Sequence, residues 1–151
     1  MTGQPDRLSV NPKVAWAGAV LVLGAVVVAT LGFLGSRAAS PPPPAEVAAD
    51  PLLARGREVF LGRCASCHGT VGRGDGPLAK GLAGPRVGDL TAKAWKHGEA
   101  PDQVLGVLRV GVRDSAMPGW KGILDDADVR ASAAYVYYLG GRPIPDALRR
   151  P

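Results

Sequence analysis

Two thiols and an imidazole fall within five consecutive positions, Cys64-Ala65-Ser66-Cys67-His68; they are the chain's only cysteines and one of its two histidines. Three chemistries use such a cluster. A redox dithiol is expected after a strand and before a βαβ framework, and neither pattern is present. A zinc site needs four ligands, but His68 is too close to Cys67 and His97 too distant to match the usual finger spacings. The remaining chemistry is covalent haem attachment, for which C-x-x-C-H is the recognised motif. Thiols three residues apart, on about one helical turn, can reach two vinyl groups on one side of a porphyrin as thioethers, and the next imidazole then lies beneath the iron. Using both thiols in this way also leaves no disulfide to form in an exported chain.

A second axial ligand is sought downstream. The chain has two methionines, and Met1 precedes the apolar run described below, so Met117 is the candidate. It lies in Ser115-Ala-Met-Pro-Gly-Trp120, where proline and glycine favour an irregular loop able to present a thioether. A core-filling methionine is the ordinary alternative, but that role suits a helical stripe better than a loop. His97, in the polar Lys96-His97-Gly98, is a rival ligand or simply a surface histidine. Thioether ligation favours ferrous iron relative to a second imidazole and leaves no open position, so the centre passes single electrons.

The elements that position these groups begin with residues 14–34, a run of 21 without one charge. At about 1.5 Å per residue it is long enough to cross a bilayer as a helix. Arg7, Lys13 and the chain amine precede it and Arg37 follows, which predicts residues 1–13 in the cytoplasm and the remainder exported. A cleaved signal peptide is the competitor, with small residues around Arg37, although its apolar region is usually shorter. Residues 35–49 contain four consecutive prolines and are expected to be a stiff spacer.

Asp50-Pro51 is a helix start, with an acidic N-cap and proline at the first position. The three- and four-residue spacing of Leu52, Gly56, Val59 and Phe60 predicts a helix running into the cysteine pair. Residues 69–88 are rich in glycine and proline and should be loop. Residues 101–112 carry an apolar stripe, and residues 125–139 open with acids and end before Gly140-Gly141. No strand-like alternation persists, so an all-α domain is expected over 50–141, with 142–151 as a tail. So few helices around so much loop bury little apolar area, and a large flat cofactor would supply the missing core. From Asp50 onward, 15 Lys and Arg stand against 11 Asp and Glu. That excess suits dispersed solubilising charge or an acidic protein partner; without a basic run or interleaved aromatics it does not point to nucleic acid.

CASCHG, the glycine-rich loop, AMPGW and a final helix with AAYVYYLG resemble, in that order, a class I c-type cytochrome of the membrane-anchored monohaem type found in bacterial respiratory chains. The resemblance covers residues 51–140. It implies a cytochrome c-like helical domain wrapped around one covalent haem c, with iron held by His68 and Met117. It further implies that the first and last helices cross at Gly56 and Phe60 against Tyr135 or Tyr138. A proline carbonyl, with Pro85 preferred to Pro77, would accept a bond from the proximal histidine. Arg86 and Trp120 are candidates to bond the haem propionates, while Trp95 is expected to anchor a loop.

The expected function is that of an electron carrier and not an enzyme. It would be a cytochrome anchored in the bacterial cytoplasmic membrane, with its haem domain in the periplasm or at the cell exterior. It would take electrons from a quinol-oxidising complex and deliver them to a terminal oxidase or reductase. The alternative is a fixed relay subunit of a larger membrane oxidoreductase. A haem sensor or peroxidase-like enzyme would require an open sixth position.

Overall fold

The computed structural model describes residues 41–150 and, before them, Leu23 alone. Among the described residues no helix is long and apolar enough to cross a membrane; apart from Leu23, the span expected at 14–34 lies outside them. Asp50 opens the first long helix, α2 (Pro51–Val59), by accepting hydrogen bonds at Oδ1 from the Leu52 and Leu53 amides at 2.9 and 3.4 Å. The helix then widens into a π-turn over Phe60–Cys64, in which the Ala65 amide donates to the Phe60 carbonyl. It resumes as α3 (Ala65–His68), which ends at Gly69 with φ 76°.

The glycine- and proline-rich stretch that follows contains only a 3-10 turn, Ala79–Gly81. Next come α4 (Pro101–Val110), started by Pro101 and by a bond from the Ala100 amide to Gln103 Oε1, and α5 (Asp126–Leu139), capped by Asp125. The helices predicted within residues 50–141 are thus present to within a few residues. No extended strand occurs among the described residues, where isolated bridges join Gly111 to Pro118 and Lys121 to Leu124.

Helices α2 and α5 form the main packing pair. Residues 131–137 of α5 are all buried, as are Leu53, Gly56, Val59 and Phe60 opposite. A Cβ on Gly56 would run into the Ala131 carbonyl, so glycine is what lets the two backbones meet. Phe60 tilts against Tyr135 with ring centroids 5.4 Å apart, and Tyr135 stacks on Tyr138 at 5.6 Å. Arg55 grips Asp128 with two hydrogen bonds, 2.6 and 3.1 Å, across the same pair of helices.

Two boundaries expected from the sequence are corrected. The spacer does not extend to residue 49: the Pro44 carbonyl accepts from the Val47 and Ala48 amides, and α1 (Ala45–Ala49) buries Val47 completely. Proline lacks a donor but keeps its acceptor, so the proline run ends as the lead into a helix. Nor does the domain stop at 141. Helix α6 (Asp146–Arg149) buries Leu148, and Arg149 pairs with Asp50 at 2.9 Å. The compact unit starts at Pro43 and includes what was expected to be a tail.

Candidate functional site

The π-turn and α3 present Cys64, Cys67 and His68 within one continuous helical path. Both cysteines are free and half-buried. Burial, with the neighbouring Cys67 thiol adding to it, pushes Cys64 from 9.0 up to about 11. At neutral pH it is a protonated thiol, unlike the activated thiolate of a redox dithiol. Among the described residues no group of three or more His, Cys, Asp or Glu could hold a metal ion, so the geometry adds nothing to the zinc reading.

His68 Nδ1 is buried without a hydrogen-bond partner, a state shared among the described residues only with Ser132 Oγ. Burial pushes the imidazole below its ordinary value, opposed by the Gly88 backbone. Pro85, expected to accept from His68, is exposed, and no hydrogen-bond partner of His68 Nδ1 is found among the described residues.

The loop after the motif is folded back onto it. Gly74 and Gly76 donate to the carbonyls of His68 and Cys67 at 2.8 and 3.1 Å, and Leu78 donates to the Ser66 carbonyl at 2.9 Å. Gly76 lies against the Ala65 and Ser66 carbonyls, where a Cβ has no room.

Met117 is half-buried in the loop after α4 and packs against the same core cluster as Cys64. Its amide donates to Ser115 Oγ at 3.1 Å, and its carbonyl accepts from Val112 at 3.2 Å. Gly111, with φ 82°, lies too close to the Met117 carbonyl to carry a side chain. The other two arms of the expected site differ in exposure. Trp120 is half-buried against the core, whereas Arg86 is exposed. His97 is exposed as well, in keeping with a surface histidine. Trp95, expected to anchor a loop, donates from Nε1 to the Leu90 carbonyl at 2.8 Å. The sequence reading missed its partner Arg142, whose guanidinium lies 4.0 Å from the Trp95 ring centroid.

Paired first and last helices, a C-x-x-C-H segment between helix and loop, and a glycine-rich wrap define a c-type cytochrome domain. Residues 51–136 match the family described as cytochrome c oxidase, cbb3-type, subunit III, and the chain belongs to that family.

Similar proteins include cbb3-type cytochrome c oxidase subunit FixP of Bradyrhizobium diazoefficiens, 34% identical over 88 residues, covering 58% of this chain and 28% of the relative. Subunit CcoP of Azospirillum sp. (strain B510) is 35% identical over 89 residues, covering 59% and 29%. The chain thus matches less than a third of the length of these relatives. Among solved structures, the Kuenenia stuttgartiensis reducing HAO-like protein complex Kustc0457/Kustc0458 aligns with a TM-score of 0.56 at 27% identity, covering 67% of this chain and 47% of that one.

The family implies covalent haem c, and the residues present fit it. Two free, half-buried thiols stand three residues apart, the adjacent imidazole has an unengaged buried nitrogen, and the loop over them is held by backbone bonds that leave the side chains available. The domain is of the electron-carrying c-type cytochrome kind.

Proposed function

We propose that the chain carries one haem c, bound through Cys64 and Cys67 with His68 and Met117 as axial ligands, and relays single electrons within a respiratory oxidase. The observation that carries this reading is His68, half-buried directly after a free thiol pair, with its Nδ1 buried and without a hydrogen-bond partner. When bound, the haem supplies one-electron redox chemistry. The protein's own residues would hold it: the thiols attach it, His68 follows them directly, and the Ser115–Met117 bond orients the thioether loop.

Between residues 61 and 96 six Lys and Arg stand against two Asp and Glu, a positive field suited to an acidic redox partner. Residues 14–34 would place the domain on the outer face of the cytoplasmic membrane.

Of the two roles expected, the relatives' descriptions as oxidase subunits favour a fixed relay over a free shuttle. Reduced membranes should show a low-spin c-type spectrum that survives denaturation and acid-acetone extraction. In mild detergent the haem should migrate with an oxidase. An extractable haem overturns the attachment, and migration as a small lone species overturns the relay role.

A further inference from the structure

The loop after the attachment motif and the loop carrying Met117 meet backbone to backbone. The first is tied down at two points: the Leu78 amide donates to the Ser66 carbonyl at 2.9 Å, and the Leu90 amide donates to the Gly72 carbonyl at 2.7 Å. Residues 79–89 form a strap between these ties. Its returning arm is seated on Gly74, where a Cβ would stand 2.6 Å from the Val87 carbonyl. Midway along the strap is Gly84, at φ 93°, where a Cβ would stand 3.1 Å from the Asp114 carbonyl and 3.7 Å from Ser115 Cα.

Across that contact the chain makes an uncommon turn. Asp114, at φ 57°, is the only non-glycine residue with positive φ among the described residues. A Cβ disfavours left-handed backbone, although aspartate tolerates it better than most residues. The turn is closed onto Met117 by three bonds. Ser115 Oγ donates to the Val112 carbonyl at 2.8 Å and accepts from the Met117 amide at 3.1 Å, and the Val112 amide donates to the Met117 carbonyl at 3.2 Å. A push on Asp114 or Ser115 is therefore passed to Met117. Gly84 and Asp114 are both exposed, so their contact adds little burial; what it supplies is position.

We infer that residues 78–90 are a strap that latches the Met117 loop in place, with Gly84 and Asp114 as positioning residues for the thioether. This rests on the proposed role of Met117 as an axial ligand. With the latch intact the loop holds the sulfur at the iron, and an outside ligand such as imidazole must wait for it to leave. Disturbing the latch should ease replacement of the Fe–S bond by an Fe–N bond, with no change in oxidation state.

The test titrates the ferric, haem-loaded full chain with imidazole. Gly84→Ala, which drives a Cβ toward the Asp114 carbonyl, should bind imidazole about tenfold more tightly than wild type, the scale of a modest overpacking. Asp114→Val, whose branched side chain disfavours the left-handed turn, should do the same. Asp114→Gly adopts that turn freely and should keep the wild-type affinity. Two controls separate the latch from general damage. Gly141→Ala carries left-handed strain, at φ 63°, with nothing within 4 Å, and should lower thermal stability without moving imidazole affinity. Gly81→Ala lies in the strap, also with nothing within 4 Å, and should change neither. Gly84→Ala and Asp114→Val variants that lose stability yet bind imidazole as wild type does would overturn the latch. A Met117→Ala variant that binds imidazole no more tightly than wild type would instead overturn the ligation, and the latch with it.

Discussion

The backbone of Gly56 in α2 meets that of Ala131 in α5 so closely that a Cβ at position 56 would overlap the Ala131 carbonyl and stand 2.8 Å from the Cβ of Tyr135. Gly56→Ala should therefore force the helices apart and destabilise the haem-loaded domain by about 1–3 kcal/mol, the usual cost of overpacking. Gly62→Ala is the control, because nothing lies within 4 Å of that position, and it should stay within about 0.5 kcal/mol of wild type. Thermal unfolding followed by far-UV circular dichroism measures both.

The C-terminal segment is part of the core. Leu148 is 1% exposed, so Leu148→Ala should cost about 2–5 kcal/mol. Arg149→Gln removes an ion pair whose partners are 44% and 21% exposed, and should cost at most about 1 kcal/mol. Urea unfolding that ranks the two the other way would show that α6 is held by charge and not by burial.

Acid should loosen the Arg142–Glu99 pair before the helices. The hydrogen bond from Arg142, aided by the Trp95 amide, holds the Glu99 carboxyl below its ordinary 4.5. The folded state thus favours the ionised form. Its contribution is fully present above that ordinary value and is lost as pH falls through the lower folded one. Glu99→Gln should lie below wild type in thermal midpoint at pH 7, with the difference shrinking below about pH 4.

Substitution of Met117 separates ligation from packing. Met117→Ala should open the sixth position, so that carbon monoxide shifts the ferrous spectrum at neutral pH, while wild type resists it. Met117→His should remain low-spin but titrate at a lower midpoint potential, because a second imidazole favours ferric iron relative to a thioether. A Met117→Ala spectrum indistinguishable from wild type would assign the residue to the core.

The sequence carried the long helices because each announces itself locally, through Asp50 with Pro51, through Asp125, and through apolar spacing on one face. The short helices at 45–49 and 146–149 were illegible for the opposite reason. Each offers one large buried residue, Val47 or Leu148, and forms because the core receives it. At the site, Cys64, Cys67 and His68 were readable as a motif, and Met117 stood out by its loop setting. The buried, unpartnered Nδ1 of His68 was not readable, because only the folded path of the loop decides which polar atoms it covers. Arg142 was hidden in the same way, since its contacts are with carbonyls about fifty positions earlier.

The π-turn at Phe60–Cys64 makes the direction of the attachment motif depend on how the helix is wound there more than on side-chain identity at that point. One residue is accommodated there beyond what an α-helical ladder needs, and each helical residue advances the facing direction by about 100°. Were the same residues to close as a regular α-helical ladder, those after the turn would be advanced by about one residue's 100°, swinging both thiols about a quarter-turn relative to Phe60. The chain would keep every residue of its attachment motif and present it in the wrong direction, a frameshift in space with no counterpart in the motif itself.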